Sequence, residues 1–179
     1  MLDLENTALV IIDVQDKLAR VMSDRDELFL NLEKLVRGMQ ALGVPIIVTE
    51  QYPQGLGGTV PELAQLLSDV QPIAKLSFSC CGEECFLREI KALDRRQVLV
   101  AGIETHVCVY QTVVDLLGSG YEVQVVSDSV SSRTVENKEI GLEKMRSAGA
   151  GITSTEMALF ELLRVARGEA FKEIIRIVR

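Results

Sequence analysis

Apolar residues in this chain fall into short unbroken runs, separated by stretches in which they recur every three or four positions. The run Thr7-Ala-Leu-Val-Ile-Ile-Asp-Val14 has strand length and carries a carboxylate near its end. Runs without polar alternation suit strands covered on both faces, as in parallel sheets. Similar runs predict five further strands over 45–49, 72–75, 97–101, 122–126 and 151–153. Over 24–42, Leu28, Leu32, Leu35, Val36 and Met39 form one helical stripe, and Gly43 stops it. Helices are expected likewise over 61–67, 83–93, 105–117, 136–148, 155–167 and 169–178. Residues 50–59 form the one long irregular loop.

Strand and helix alternate throughout, with short connections and no internal repeat or linker. That pattern predicts an α/β fold: one Rossmann-like domain over 1–179, with a six-stranded, mainly parallel sheet and helices on both faces. Such sheets bind ligands beyond the carboxyl ends of their strands. At those ends stand Asp13 after the first strand, Thr49 and Glu50 after the second, and Lys75 on the third. The turn at Gly102 after the fourth strand leads to Cys108.

Cys108 is expected in the first turn of the helix over 105–117. Free backbone N–H groups and the helix dipole there favour thiolate, the nucleophilic form. The competing reading is core filler, since free cysteine is among the most buried residue types. His106 is the single histidine, and residues two apart do not face each other on a helix. Asp13 is therefore the better acceptor for the thiol proton, with burial raising its pKa toward that of the thiol. Lys75 would offset the negative charge of carboxylate, thiolate or oxyanion. Taken singly, Asp13 also fits a turn cap and Lys75 a solvated side chain.

Composition excludes several classes. The 179 residues are 47% hydrophobic and 25% charged, as in a soluble globular protein. A net charge of −7 with scattered cations argues against a nucleic-acid or anionic-membrane surface. No apolar run is long enough to span a bilayer. The acidic start Met1-Leu-Asp-Leu-Glu-Asn6 is unlike a secretory signal, so a cytoplasmic location is expected. Cys80, Cys81 and Cys85 lack the paired spacing of zinc sites, and neither metal nor cofactor is expected. Cys85 is predicted to open the buried face of the helix over 83–93, with Cys80 and Cys81 in the preceding loop. Gly55, Gly57 and Gly58 do not open a helix, and the first strand-to-helix turn has no glycine, which excludes a dinucleotide loop.

Asp13-Val14-Gln15, Lys75 and Gly102-Ile-Glu-Thr-His-Val-Cys-Val109 resemble the three signature elements of the isochorismatase-like cysteine hydrolases. The resemblance covers nearly the whole chain. The loop Thr49-Glu-Gln-Tyr-Pro-Gln-Gly-Leu-Gly58 resembles that of the small isochorismatase-domain-containing proteins. The resemblance implies an isochorismatase-like fold and a catalytic triad of Cys108, Asp13 and Lys75. It also implies a cis peptide between Ile103 and Glu104 that turns backbone N–H groups near Glu104 and Cys108 into an oxyanion hole. Nicotinamidases of the family bind a metal through an aspartate and two histidines, so the single histidine here speaks against that activity and against a metal. Apart from Lys75, Arg133 is the one cation expected near the site, which favours a neutral amide or imide over a dianionic substrate.

Tyr52, Leu56 and Phe78 are expected to wall the pocket, with Gln15 and Gln51 as polar contacts. The leading expectation is a small-molecule hydrolase that cleaves a C–N bond through a Cys108 acyl-enzyme. The alternatives are a non-catalytic binding member of the same fold and a redox-sensing protein built on Cys80 and Cys81. Phe171, Ile174, Ile175 and Val178 form an apolar stripe suited to docking on the domain itself or on a second subunit. With the resemblance, it leads to an expected homo-oligomer.

Overall fold

The computed structural model describes residues 1–179. Strand β1 (Thr7–Ile12) is buried along its whole length, as a run without polar alternation requires. It lies inside one six-stranded sheet with β2 (Ile46–Gln51), β3 (Ile73–Lys75), β4 (Gln97–Ile103), β5 (Glu122–Ser131) and β6 (Gly151–Thr153). The spatial order is β3-β2-β1-β4-β5-β6, and every pairing is parallel. The chain winds outward from β1 to β3, then crosses back to place β4 on the other side of β1. That reversal creates a crevice between the carboxyl ends of β1 and β4, where doubly wound sheets hold their ligands.

The helices in chain order are α1 (Asp16–Ala19), α2 (Arg25–Ala41), α3 (Pro53–Leu56), α4 (Pro61–Ala64), α5 (Glu84–Ala92), α6 (Tyr110–Gly118), α7 (Val135–Ser147), α8 (Thr155–Leu163) and α9 (Gly168–Val178). None is long and apolar enough to cross a membrane. Successive β1 side chains point to opposite faces of the sheet. Leu9 and Ile11 enter one core, closed by Leu32 and Leu35 of α2, Leu159 of α8 and Ile174 of α9. Ala8, Val10 and Ile12 enter the other, closed by Phe86 and Ile90 of α5, Val113 and Leu116 of α6, and Met145 of α7.

Several expectations need correction. Strand β5 continues to Ser131, because Ser129 and Ser131 are buried with their hydroxyls bonded to Thr155 Oγ1 (2.8 Å) and Ser23 O (2.7 Å). A satisfied hydroxyl can sit inside a sheet, so the polar residues past 126 do not end the strand. Gly102 is not a turn but part of β4, at a shift in register against β5. Helix α8 stops at Leu163, where Arg164 takes a positive φ of 63°. Cys85 is exposed, and the buried face of α5 begins one residue later at Phe86, whereas Cys80 is fully buried. Of the two alternatives for the carboxy-terminal stripe, docking on its own domain accounts for Ile174, which enters the core, and Val178, which packs against it.

The long loop is ordered by polar contacts. Gln15 Nε2 donates to Gln51 O (2.9 Å) and Gly57 O (2.6 Å), while its Oε1 accepts from the Gln51 N–H (2.7 Å). Glu50 Oε1 accepts from both the N–H and the hydroxyl of Thr59, each at 2.7 Å. These bonds fold residues 53–56 into α3 beside the crevice.

Candidate active site

The carboxyl ends of β1, β2 and β3 bring three side chains together. Asp13 follows β1 with a φ of 53°, a left-handed conformation that turns the chain out of the sheet. Its N–H donates to Thr49 O (3.1 Å), so the β1–β2 pairing sets its position. The side chain is fully buried. Thr49 Oγ1 donates to Asp13 Oδ1 at 2.8 Å, and Lys75 Nζ lies 2.7 Å from Oδ2.

Lys75 is not a solvated lysine. Its side chain is as inaccessible as that of Asp13. An ammonium has three N–H donors, and Nζ meets Gln51 Oε1 at 2.6 Å, Phe78 O at 3.0 Å and Ser77 O at 3.1 Å. With Asp13 Oδ2 at 2.7 Å, four oxygens share its three donors. Asp13 Oδ2 is thus ion-paired with the ammonium, and it also faces the Cys108 thiol as a hydrogen-bond acceptor.

Cys108 lies not in the first turn of an α-helix but in one turn of π-helix, Thr105–Val109, that precedes α6. It is 7% exposed. Burial pushes its thiol up to about 12, the Asp13 carboxylate adds to the rise, and Lys75 partly opposes it. The expected stabilisation of thiolate by a helix terminus is thus outweighed, and at neutral pH the group is a thiol. Burial also raises Asp13 above its ordinary carboxylate range, with Lys75 and then Thr49 acting against the rise. A stronger base therefore faces a weaker acid, and a proton can pass from Cys108 to Asp13 only as negative charge leaves sulfur.

The remaining predicted residues divide. The Ile103–Glu104 peptide is cis. Glu104 is nearly buried, and its Oε2 accepts from the N–H (3.0 Å) and Nε (3.1 Å) of Arg133, an ion pair that the chain pattern did not reveal. Gln15 and Gln51 are not free pocket contacts: Gln15 holds the loop backbone, while Gln51 bonds Lys75 and, through Nε2, Leu76 O (2.8 Å). Tyr52 and Phe78 are about half exposed beside Lys75, and Leu56 is half-buried. The Tyr52 ring also lies against its own loop, since a Cβ at Gly55 would stand 2.2 Å from Tyr52 Cε1. Leu76, absent from the predicted set, is more exposed than either aromatic.

His106 Nδ1 is 3.0 Å from Ser132 Oγ, so its ring is engaged away from a Cys–His dyad. Burial raises Cys80 to about 11 and Cys81 to about 12. Redox-sensing thiols have lowered pKa values, which counts against that reading. Two cavities, of about 440 and 400 Å³, are lined by residues other than Asp13, Lys75 and Cys108.

Thr49 carried no predicted role. Its register opposite Ile12 places it beside Asp13, but only the order of the strands reveals that adjacency.

Residues 7–157 match the isochorismatase domain family. The chain belongs to the isochorismatase family. It is 39% identical to isochorismatase family protein 1B of Dictyostelium discoideum over 98% of this chain and 87% of that one. Among solved structures, the isochorismatase fold recurs in the MAR1 ribonuclease of Caenorhabditis elegans, with a TM-score of 0.93, 35% identity, and coverage of 99% and 91% of the two chains. It recurs again in YcaC of Escherichia coli, described as an octameric hydrolase of unknown specificity, with a TM-score of 0.93, 26% identity, and coverage of 98% and 88%.

Proposed function

We propose that this isochorismatase-family protein is a cysteine hydrolase that cleaves the C–N bond of a small neutral amide or imide. The observation that carries the reading is the division of labour on Asp13: one oxygen is bonded to Thr49, and the other is buried, ion-paired with Lys75 and facing the Cys108 thiol. In the first step Cys108 Sγ attacks the substrate carbonyl carbon, and its proton passes to Asp13 Oδ2. The carbonyl π electrons move to oxygen, where backbone N–H groups around Glu104 and Cys108 receive the charge. Collapse of the tetrahedral intermediate expels the amine, which takes the proton from Asp13 and leaves a thioester. Water then attacks the thioester, giving a proton to Asp13. Sulfur leaves, recovers that proton, and the acid is released.

Lys75 keeps its proton throughout and offsets the charge that moves between carboxylate, sulfur and oxygen. A neutral substrate fits the charge balance, because each cation near the site already has an anion: Lys75 with Asp13, Arg133 with Glu104. Nuclease activity, suggested by the name of the Caenorhabditis elegans protein, is less well supported, since a net charge of −7 repels a polyanion. The alternative of a binding protein without turnover leaves the thiol–carboxylate–ammonium arrangement unused.

The test is turnover on a panel of small primary amides and cyclic imides, followed by amine release and by intact-mass detection of an acyl adduct. Cys108→Ala should lower turnover by about three orders of magnitude or more, the scale seen when a nucleophile is removed. Full turnover by that variant would sink the mechanism, and binding without turnover by the wild type would favour the binding alternative. By extension from octameric YcaC, we also propose that the chain assembles into a homo-oligomer.

A further inference from the structure

We propose that Thr49 is a positioning residue for the reaction: it ties Asp13 Oδ1 into the sheet and so assigns Oδ2 as the oxygen that takes the Cys108 proton. The inference rests on the cysteine hydrolase reading and names a residue that reading does not require. Thr49 is fully buried, and its backbone carbonyl and its hydroxyl both bond Asp13, at 3.1 and 2.8 Å. The carbonyl accepts from the Asp13 backbone N–H and fixes where the residue stands, while the hydroxyl donates to Oδ1 and fixes how the carboxylate is turned. The direction of the hydroxyl proton is also set. Cys80 Sγ donates to Thr49 Oγ1 at 3.7 Å, and a hydroxyl has one proton and two lone pairs. With a lone pair taken by Cys80, the single proton goes to Asp13. Cys80 remains a donor at working pH, because burial keeps its thiol protonated up to about 11. The fully buried Cys80 thereby has a use that the triad alone does not give it.

A valine at position 49 would fill nearly the same volume and leave Oδ1 without a donor. The consequence is chemical rather than steric: a carboxylate that loses a hydrogen bond becomes easier to protonate. The experiment follows the rate of Cys108 carboxamidomethylation by iodoacetamide against pH, resolved by peptide mass spectrometry. In the wild type the rate first rises as Asp13 loses its proton, because the monoanionic pair then supplies thiolate.

Thr49→Val should move that first rise upward by about one pH unit, the equivalent of one charge-assisted hydrogen bond. Thr49→Ser, which keeps the donor, should leave it in place. Should the valine variant not fold, Thr49→Ala removes the same donor and reads the same limb. A Thr49→Val profile that overlays the wild type, while Asp13→Asn abolishes the first rise, overturns the positioning role and leaves the mechanism standing. If Asp13→Asn also overlays the wild type, the Cys–Asp mechanism itself fails, and the role of Thr49 with it.

Discussion

Burial, the charge and hydrogen bond of Asp13, and Cys80 all raise the Cys108 pKa, and Lys75 alone opposes them. Burial is the largest, so removing Asp13 should lower the thiol pKa without returning it to the ordinary cysteine value. In Asp13→Asn the carboxylate charge is gone and the Lys75 ammonium loses its counter-charge, and both changes favour thiolate. Thiolate absorbance followed against pH should therefore show ionisation beginning below the wild-type range near 12. Turnover should nevertheless be lost, because no group remains to carry the proton to the leaving amine. A thiol titration that moves upward, or does not move, would show that Asp13 is not the charge acting on Cys108. A more acidic thiol with less activity would separate base catalysis from simple thiolate supply. The residue types Asp13, Lys75 and Cys108 were legible in the chain because apolar strands had no structural need to end in them. The protonation state was not, because it depends on burial that no local pattern reports.

In strand β4, backbone geometry rather than side-chain chemistry holds β1 and β4 together below the crevice. At Gly102 φ is +113°, and a Cβ built there would lie 2.1 Å from Ile12 O on β1. Gly102 thus allows close approach of β1 and β4 at the point where the site forms. Gly102→Ala should cost about 3 kcal/mol or more in urea denaturation, combining an unfavourable positive φ with overpacking against fixed backbone. Gly118→Ala, where the added methyl meets nothing within 4 Å, serves as the neutral comparison. Equal stability of the two variants would mean that β1 and β4 separate easily, and that the crevice is not held by their contact. The chain pattern places this glycine in a turn, because the register shift in β4 is a property of its pairing with β5. The same limit explains Cys85 and Phe86 on α5: a stripe predicts the buried face of a helix to within a residue, and its neighbours decide the rest.

At the scale of the whole molecule, the doubly wound order places helices on both faces and leaves the carboxyl ends of β1 and β4 as the candidate site. The carboxy-terminal stripe contributes Ile174 to its own core, so the stripe by itself does not require the proposed homo-oligomer. Sedimentation equilibrium should show a mass several times that of one chain. A single-chain mass at all concentrations would refute the assembly. Alternating apolar runs and helical stripes determined by themselves the α/β class, the single domain and the elements whose ends carry the candidate chemistry, because hydrophobic periodicity is a local consequence of burial. Only the tertiary structure decided that Thr49 stands beside Asp13, that Gln15 and Gln51 support the site rather than line it, and that Glu104 pairs with Arg133. These are contacts between segments far apart in the chain. Strand order and register create them, and neither is encoded within any one segment.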